Sequence, residues 1–226
     1  MLLTEEFRSY LKKNGADLVG FGDVSGLAPG GYQRAVVMAI ALPKEIVRRI
    51  PQGPTQEYIH AYQDINRRLD ELADLAAAYL SKKGFRSMPL TKENCPWDRE
   101  SMSTAFPYKT SATRAGLGWI GKCALLVTKE FGSAIRMSVA LTDAPLQTAE
   151  PIDRSLCGSC EKCMDACPGK AIKGTAWYAG LPRTELVDIS SCDRAARDIA
   201  EEKLGYRTTM CGKCFAACPY TQRYLK

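Results

Sequence analysis

Histidine is almost missing from this chain of 226 residues: His60 is the only one. It stands in a tyrosine-rich helical stretch and reads as a surface or internally satisfied side chain, not as a metal ligand. Long apolar runs are missing too. The longest, Ala35 to Leu42, is far too short to cross a bilayer. The start, Met1-Leu2-Leu3-Thr4-Glu5-Glu6, lacks the basic stretch and apolar core of a secretory signal, so a cytoplasmic location is expected. No four basic residues follow one another. The pairs Arg48-Arg49, Arg67-Arg68 and Lys82-Lys83 read as solvated helix faces, and the net charge of +6 is not read as a nucleic-acid signature.

What is present is an ordinary soluble composition, 46% hydrophobic and 25% charged, long enough for one large domain or two modest ones. A helix is expected over Leu3 to Asn14 with Thr4 as its N-cap, and strands over Asp17 to Val24 and Ala35 to Leu42. Pro54 opens a long helix in which Tyr58, Tyr62, Ile65, Leu69, Leu72, Leu75 or Ala76, and Tyr79 or Leu80 form one buried stripe. Gly84 ends it before a strand from Phe85 to Leu90. Thr91 to Pro107 reads as a loop, Lys109 to Ala115 as a short helix, and Lys122 to Thr128 and Ala134 to Leu141 as strands. Helices interleaved with strands indicate an α/β layer. The text then turns cysteine-rich, which places a domain boundary near 148, with domains over 1–148 and 149–226.

Eight of the ten cysteines lie between Cys157 and Cys218. The run Cys157-Gly-Ser-Cys160-Glu-Lys-Cys163-Met-Asp-Ala-Cys167-Pro168 is the C-x2-C-x2-C-x3-C-P pattern of bacterial ferredoxins, in which the fourth cysteine serves the other of two 4Fe–4S clusters. Zinc would leave the cysteine before Pro168 without a role. The second run, Cys211-Gly-Lys-Cys214-Phe-Ala-Ala-Cys218-Pro219, is one cysteine short. Crossed ligation gives Cys157, Cys160, Cys163 and Cys218 to one cluster. Cys167, Cys211 and Cys214 serve the other, with Cys192 filling the vacancy across an intervening helix, Asp193 to Leu204. Cys95 and Cys123 are then surplus and read as free thiols. Thiolates for iron need a reducing compartment, and anionic clusters offset part of the positive charge.

Gly116-x-Gly118-x-x-Gly121 matches the dinucleotide fingerprint in letters only, because a helix precedes it and a strand follows, the reverse of the order that places a pyrophosphate on a helix N-terminus. The near match of Gly116-x4-Gly121-Lys122 to a P-loop fails as well, with Cys123 at the Ser/Thr position. The glycines either let backbone approach a large flat ligand or build a tight turn. Trp119 is a core residue or a ring against a cofactor, and the second is preferred.

The sequence resembles the epoxyqueuosine reductase family, which is related to the reductive dehalogenases. The similarity runs through Ala115-Gly-Leu-Gly-Trp-Ile-Gly-Lys122, Phe131-Gly-Ser133, Leu141-Thr-Asp143-Ala-Pro145-Leu146 and the cysteine runs. The resemblance implies a nitroreductase-like α/β N-terminal domain followed by a two-cluster ferredoxin-like C-terminal domain. It also implies a corrinoid (cobalamin) held against Gly116, Gly118, Trp119, Gly121, Lys122 and Ser133, with cobalt reduced through the clusters in an anaerobic setting. No Asp-x-His-x-x-Gly supplies cobalt with a histidine. Two departures stand out. The strand Phe85-Arg86-Ser87-Met88-Pro89-Leu90 lacks the aspartate that is the family's presumed proton donor, and the chain stops at Lys226 without the family's tRNA-binding extension. The expected function is therefore an iron–sulfur oxidoreductase passing electrons to a corrinoid. Tyr108 and Lys109 are its candidate proton donor and electrostatic partner. A corrinoid or small-molecule substrate and a low-potential donor such as ferredoxin or flavodoxin are the expected partners; no membrane is expected, and tRNA is not. The alternatives are an electron-carrying ferredoxin module and a flavin-binding reductase.

Overall fold

A computed structural model describes residues 2–91, 93–98 and 102–226. It is a mixed α/β structure of two compact units, neither continuous in sequence. The first comprises Met1–Ile40, Ile65–Leu117 and Arg136–Ile152; the second comprises Ala41–Asp64, Gly118–Ile135 and Asp153–Lys226. The sequence reading had placed one break near 148. The structure groups 41–64 and 118–135 with the cysteine-rich end, through long-range packing that no local pattern announces.

The first unit is built on a four-stranded sheet. Its strands are β1 (Leu18–Asp23), β2 (Arg34–Ala41), β3 (Ser87–Leu90) and β8 (Ile135–Thr142), in the order β1-β2-β8-β3. β1 runs antiparallel to β2 with Leu18 opposite Ala39, and β3 antiparallel to β8 with Ser87 opposite Thr142. Ala35 to Ile40 are all buried, as their unbroken apolar run requires of a central strand. Helix α1 (Leu2–Lys13) contributes Phe7, fully buried and stacked on Phe21 of β1 at 6.0 Å and on Tyr79 at 4.8 Å. Tyr79 belongs to α3 (Gln56–Lys82), whose Ile65, Leu69, Leu72, Ala76 and Leu80 are the expected buried stripe. Ser138 of β8 donates to the Leu69 carbonyl at 2.8 Å, which fixes helix against sheet.

Thr4 is not the N-cap that the sequence suggested. It lies inside α1, buried, and its Oγ1 accepts from the Gln147 amide at 2.9 Å, because the chain after β8 folds back over this helix. Part of the loop expected over 91–107 lies outside the described residues (92 and 99–101). Within the remainder, β4 (Trp97–Asp98) pairs with β5 (Ser103–Thr104). Helix α4 (Tyr108–Arg114) follows.

In the second unit the strand expected over 122–128 is instead a hairpin. β6 (Trp119–Ile120) pairs with β7 (Leu126–Val127), and residues 121–125 form the turn, with Ala124 at φ 58°. Segment 41–64 adds α2 (Lys44–Arg49), which the sequence reading left unassigned. It is bound to the C-terminal helices α7 (Lys213–Ala216) and α8 (Pro219–Leu225): Lys213 Nζ donates to the Pro51 carbonyl at 3.0 Å and Tyr224 to that of Leu42 at 2.8 Å. Helices α5 (Lys162–Asp165) and α6 (Ile189–Leu204) complete the unit, α6 capped by Asp188, whose side chain accepts from the Ser191 amide at 3.0 Å.

Candidate metal centre

The two cysteine runs fold alike. Each places its C-x2-C before or on a one-turn helix, α5 carrying Cys163 and α7 carrying Cys214, and each then reaches a Cys-Pro step, at Cys167 and at Cys218. Cys218 faces Cys157 and Cys163 of the first run. Cys192, in the first turn of α6, faces Cys167 and Cys211. The approach of Cys167 to α6 depends on Gly169, because a Cβ there would stand 2.7 Å from the Ser191 carbonyl oxygen. The structure thus brings together thiols from the two runs in the crossed combinations. Cys192 sits on the helix, not in the segment ahead of it.

Backbone amides point at these sulfurs. Ala171 donates to Cys167 Sγ at 3.3 Å, Lys213 donates to Cys211, and Tyr220 and Thr221 donate to Cys218. Such donors favour thiolate over thiol and stabilise a cluster's negative charge. Burial acts the other way, pushing the Cys192, Cys211 and Cys218 thiols up from the usual range. A bound metal overcomes that cost by taking the thiolate directly. Among the described residues no three His, Cys, Asp or Glu gather closely enough to hold a single ion. The donor set, the crossing and the amides fit 4Fe–4S clusters.

The glycine turn belongs to this centre. Three consecutive residues meet the Cys157–Cys163 run. A Cβ on Gly121 would lie 3.6 Å from Cys157 Sγ, Lys122 Nζ donates to the Cys160 carbonyl at 3.1 Å, and the Cys123 thiol hydrogen-bonds with Cys163. Cys123 also hydrogen-bonds with Cys214, so it is not the remote thiol the sequence suggested. Its bond to Cys163 favours the thiolate, but the bond to Cys214 and burial together hold it well above the usual thiol range. Trp119 is fully buried with its ring edge-on to Tyr220, two residues past Cys218, at 4.9 Å. Only neighbours in space reveal Cys123 and Lys122; their spacing from the cysteine runs carries no signal.

The other expected cofactor residues fall out as follows. Gly118, Trp119, Gly121, Lys122 and Ser133 lie in the second unit and Gly116 in the first. A Cβ on Gly118 would stand 2.2 Å from the Val127 carbonyl oxygen, and one on Gly121 would stand 2.8 Å from Val127 Cγ2. The chain itself fills the side-chain space at both glycines. The Ser133 amide donates to Thr221 Oγ1 at 3.1 Å; the Ser133 hydroxyl and the Trp119 indole N–H are buried without a partner among the described residues. Tyr108 donates to the Leu90 carbonyl at 2.6 Å, and its pKa is pushed up to about 12 by burial, then by Cys95 and Asp70. Lys109, the next residue, is half-buried on the same helix.

Residues 156–221 match the 4Fe-4S double cluster binding domain. Epoxyqueuosine reductase of Synechococcus sp. (strain CC9605) is 31% identical over 172 residues, covering 72% of this chain and 48% of the relative. The chain is homologous to the epoxyqueuosine reductases. It spans about half the length of the curated relatives it matches. An epoxyqueuosine reductase solved with an epoxyqueuosine-modified stem loop of tRNA-Tyr superposes with a TM-score of 0.64 at 23% identity, covering 98% of this chain and 66% of that one. A reductive dehalogenase whose structure suggested a mechanism for B12-dependent dehalogenation gives 0.73 at 20%, covering 95% and 31%. These neighbours establish the shared fold.

The epoxyqueuosine reductases overturn one expectation. Excluding tRNA as a partner rested on the missing aspartate and on the missing extension, and the lack of a basic run gave no nucleic-acid signature. Against that stands a series of homologues named for reducing epoxyqueuosine, one of them solved on a tRNA stem loop that carries it. Charge need not be consecutive in sequence to be gathered in space, so a missing basic run excludes nothing. Among the described residues no helix is long and apolar enough to cross a membrane.

Proposed function

We propose that this chain is an iron–sulfur oxidoreductase that passes electrons singly through two 4Fe–4S clusters, with epoxyqueuosine borne on tRNA as its substrate class. Cys157, Cys160, Cys163 and Cys218 hold one cluster; Cys167, Cys192, Cys211 and Cys214 hold the other. The observation that carries the reading is the crossing: Cys218 returns to Cys157 and Cys163, while Cys192 meets Cys167 and Cys211. Bound clusters supply one-electron storage at low potential. The chain's own part is to hold the thiolates, to donate amides to Cys167, Cys211 and Cys218, and to tie the first run to Lys122 through the Cys160 carbonyl.

The likeness to B12-dependent dehalogenation supports a corrinoid as electron acceptor, and the sheet-based unit is then the nitroreductase-like domain. Its docking would use residues other than Gly118 and Gly121, whose side-chain spaces are filled. Low-potential thiolate clusters call for a reducing, cytoplasmic setting.

Anaerobically prepared protein should hold about eight irons, the content of two cubanes. Cys192→Ser should lose or convert one cluster and keep the other. Full retention of both in that variant removes Cys192 from the ligand set. Reduced protein, given cobalamin and an epoxyqueuosine-containing tRNA stem loop, should form queuosine; no product with both clusters reduced refutes the substrate class. Failure to perturb the cob(II)alamin paramagnetic spectrum at tens of micromolar, about −6 kcal/mol of binding, refutes the corrinoid.

A further inference from the structure

Lys122 is a buried cation, with only 6% of its surface exposed. Its ammonium carries three donors. The structure gives it one protein acceptor, the Cys160 carbonyl, and no carboxylate within ion-pair distance among the described residues. A buried ammonium with neither counter-charge nor a full set of acceptors is costly, and such groups are retained where an opposite charge meets them. The neighbours name that charge. Gly121, the residue before, sits against Cys157 Sγ, and Cys123, the residue after, hydrogen-bonds Cys163. Lys122 itself bonds to Cys160, so the turn follows the first run cysteine by cysteine.

We propose that Lys122 is the built-in counter-charge of the cluster held by Cys157, Cys160, Cys163 and Cys218, and that it raises the reduction potential of that cluster. The proposal rests on the two-cluster reading. A cubane with four thiolates is anionic, and reduction adds one more negative charge. A fixed cation in a place largely closed to water stabilises the reduced form more than the oxidised one. Lys122 acts here as a positioning residue for charge and not as a catalytic one.

The test compares wild type, Lys122→Met and Lys122→Arg as full-length, cluster-loaded protein. Dithionite is the reductant: it is oxidised as each cluster takes one electron, and no protein bond is made or broken. Iron is assayed first. Wild type without two cubanes refutes the cluster reading itself and is recognised before any titration. With both clusters present, redox titration followed by electron paramagnetic resonance should show one cluster of Lys122→Met at lower potential. The expected loss is at least tenfold in the reduction equilibrium, about 59 mV for one electron. The other cluster should be unmoved and Lys122→Arg close to wild type. The same shift should persist in the Cys192→Ser background, where the remaining cubane is the first. An unshifted Lys122→Met, a shift confined to the other cluster, or equal shifts in both variants overturns the proposal. If Lys122→Met fails to load the first cluster, a loaded Lys122→Arg supports the charge role, and its failure too shows that packing alone is at stake.

Discussion

Gly118→Ala distinguishes a packing glycine from a ligand-docking one. The added methyl would stand 2.2 Å from the Val127 carbonyl oxygen and 2.9 Å from its carbon, both backbone atoms of the partner strand. No side-chain rotation relieves such a contact; β6 and β7 must separate, and their pairing is only two residues long on each side. Gly118 does not have the positive φ that Gly116 has at 65°, so left-handed strain adds nothing and the cost is steric. Overpacking of this kind costs about 1–3 kcal/mol, and the rigid target places Gly118→Ala toward the upper end. For a chain of this length each kilocalorie lowers the melting temperature by about 2–4 °C. A fall of about 2–12 °C is therefore expected. Melting of anaerobic protein, followed together by circular dichroism and visible cluster absorbance, gives the measurement. Because the hairpin belongs to the cysteine-bearing unit, both signals should shift together. A melting temperature within 1 °C of wild type refutes the steric argument, and loss of corrinoid binding at unchanged stability would restore the docking role.

Phe7→Ala should destabilise the sheet-based unit by about 3–5 kcal/mol, since it empties a fully buried ring site between Phe21 and Tyr79; chemical denaturation measures it, and a cost below 1 kcal/mol refutes the packing. Asp188 carries a pKa lowered by the amide and hydroxyl of Ser191. Its contribution is therefore complete above the ordinary carboxylate range and is lost as pH falls through the depressed value. Asp188→Asn, which caps without titrating, should flatten that acid limb in a pH series of melting temperatures, and an unchanged limb excludes the cap as its source. Tyr108→Phe should flatten the loss of stability that sets in near pH 10, where the unfolded phenol ionises while the buried one, pushed up to about 12, keeps its proton; an unchanged alkaline limb excludes Tyr108 as its source.

Periodicity read the helices and central strands well. The stripe Ile65, Leu69, Leu72, Ala76 and Leu80 and the unbroken run Ala35 to Ile40 are buried as their spacing requires. Features that depend on partners distant in sequence were not legible. Thr4 has the residue type of a cap, yet its hydroxyl is used by the Gln147 amide. The stretch 122–128 has strand composition, but Lys122 turns inward to Cys160 and Ala124 takes a positive φ, which leaves only Leu126–Val127 to pair. Cysteine spacing identified the double-cluster domain over 156–221. It was silent on Cys123, which has no ligand spacing and is brought to Cys163 and Cys214 only by the hairpin.

The glycine turn shows how a motif read for one neighbour can meet another in space. Three glycines, a tryptophan and a lysine in seven residues suggested a flat ligand, because glycines let backbone come close. Close approach does occur, but the approaching partners are Val127 and the cysteine loop. The lysine favours the cysteine loop as its neighbour. At a solvent-lined ligand site its ammonium would remain hydrated; here it is buried against a carbonyl of the Cys157–Cys160 loop. A buried cation calls for an anion, and the thiolate set of the proposed cluster would supply one. On the proposed two-cluster reading, Gly121 and Lys122 would pack against and charge-balance the cluster of the Cys157–Cys163 run.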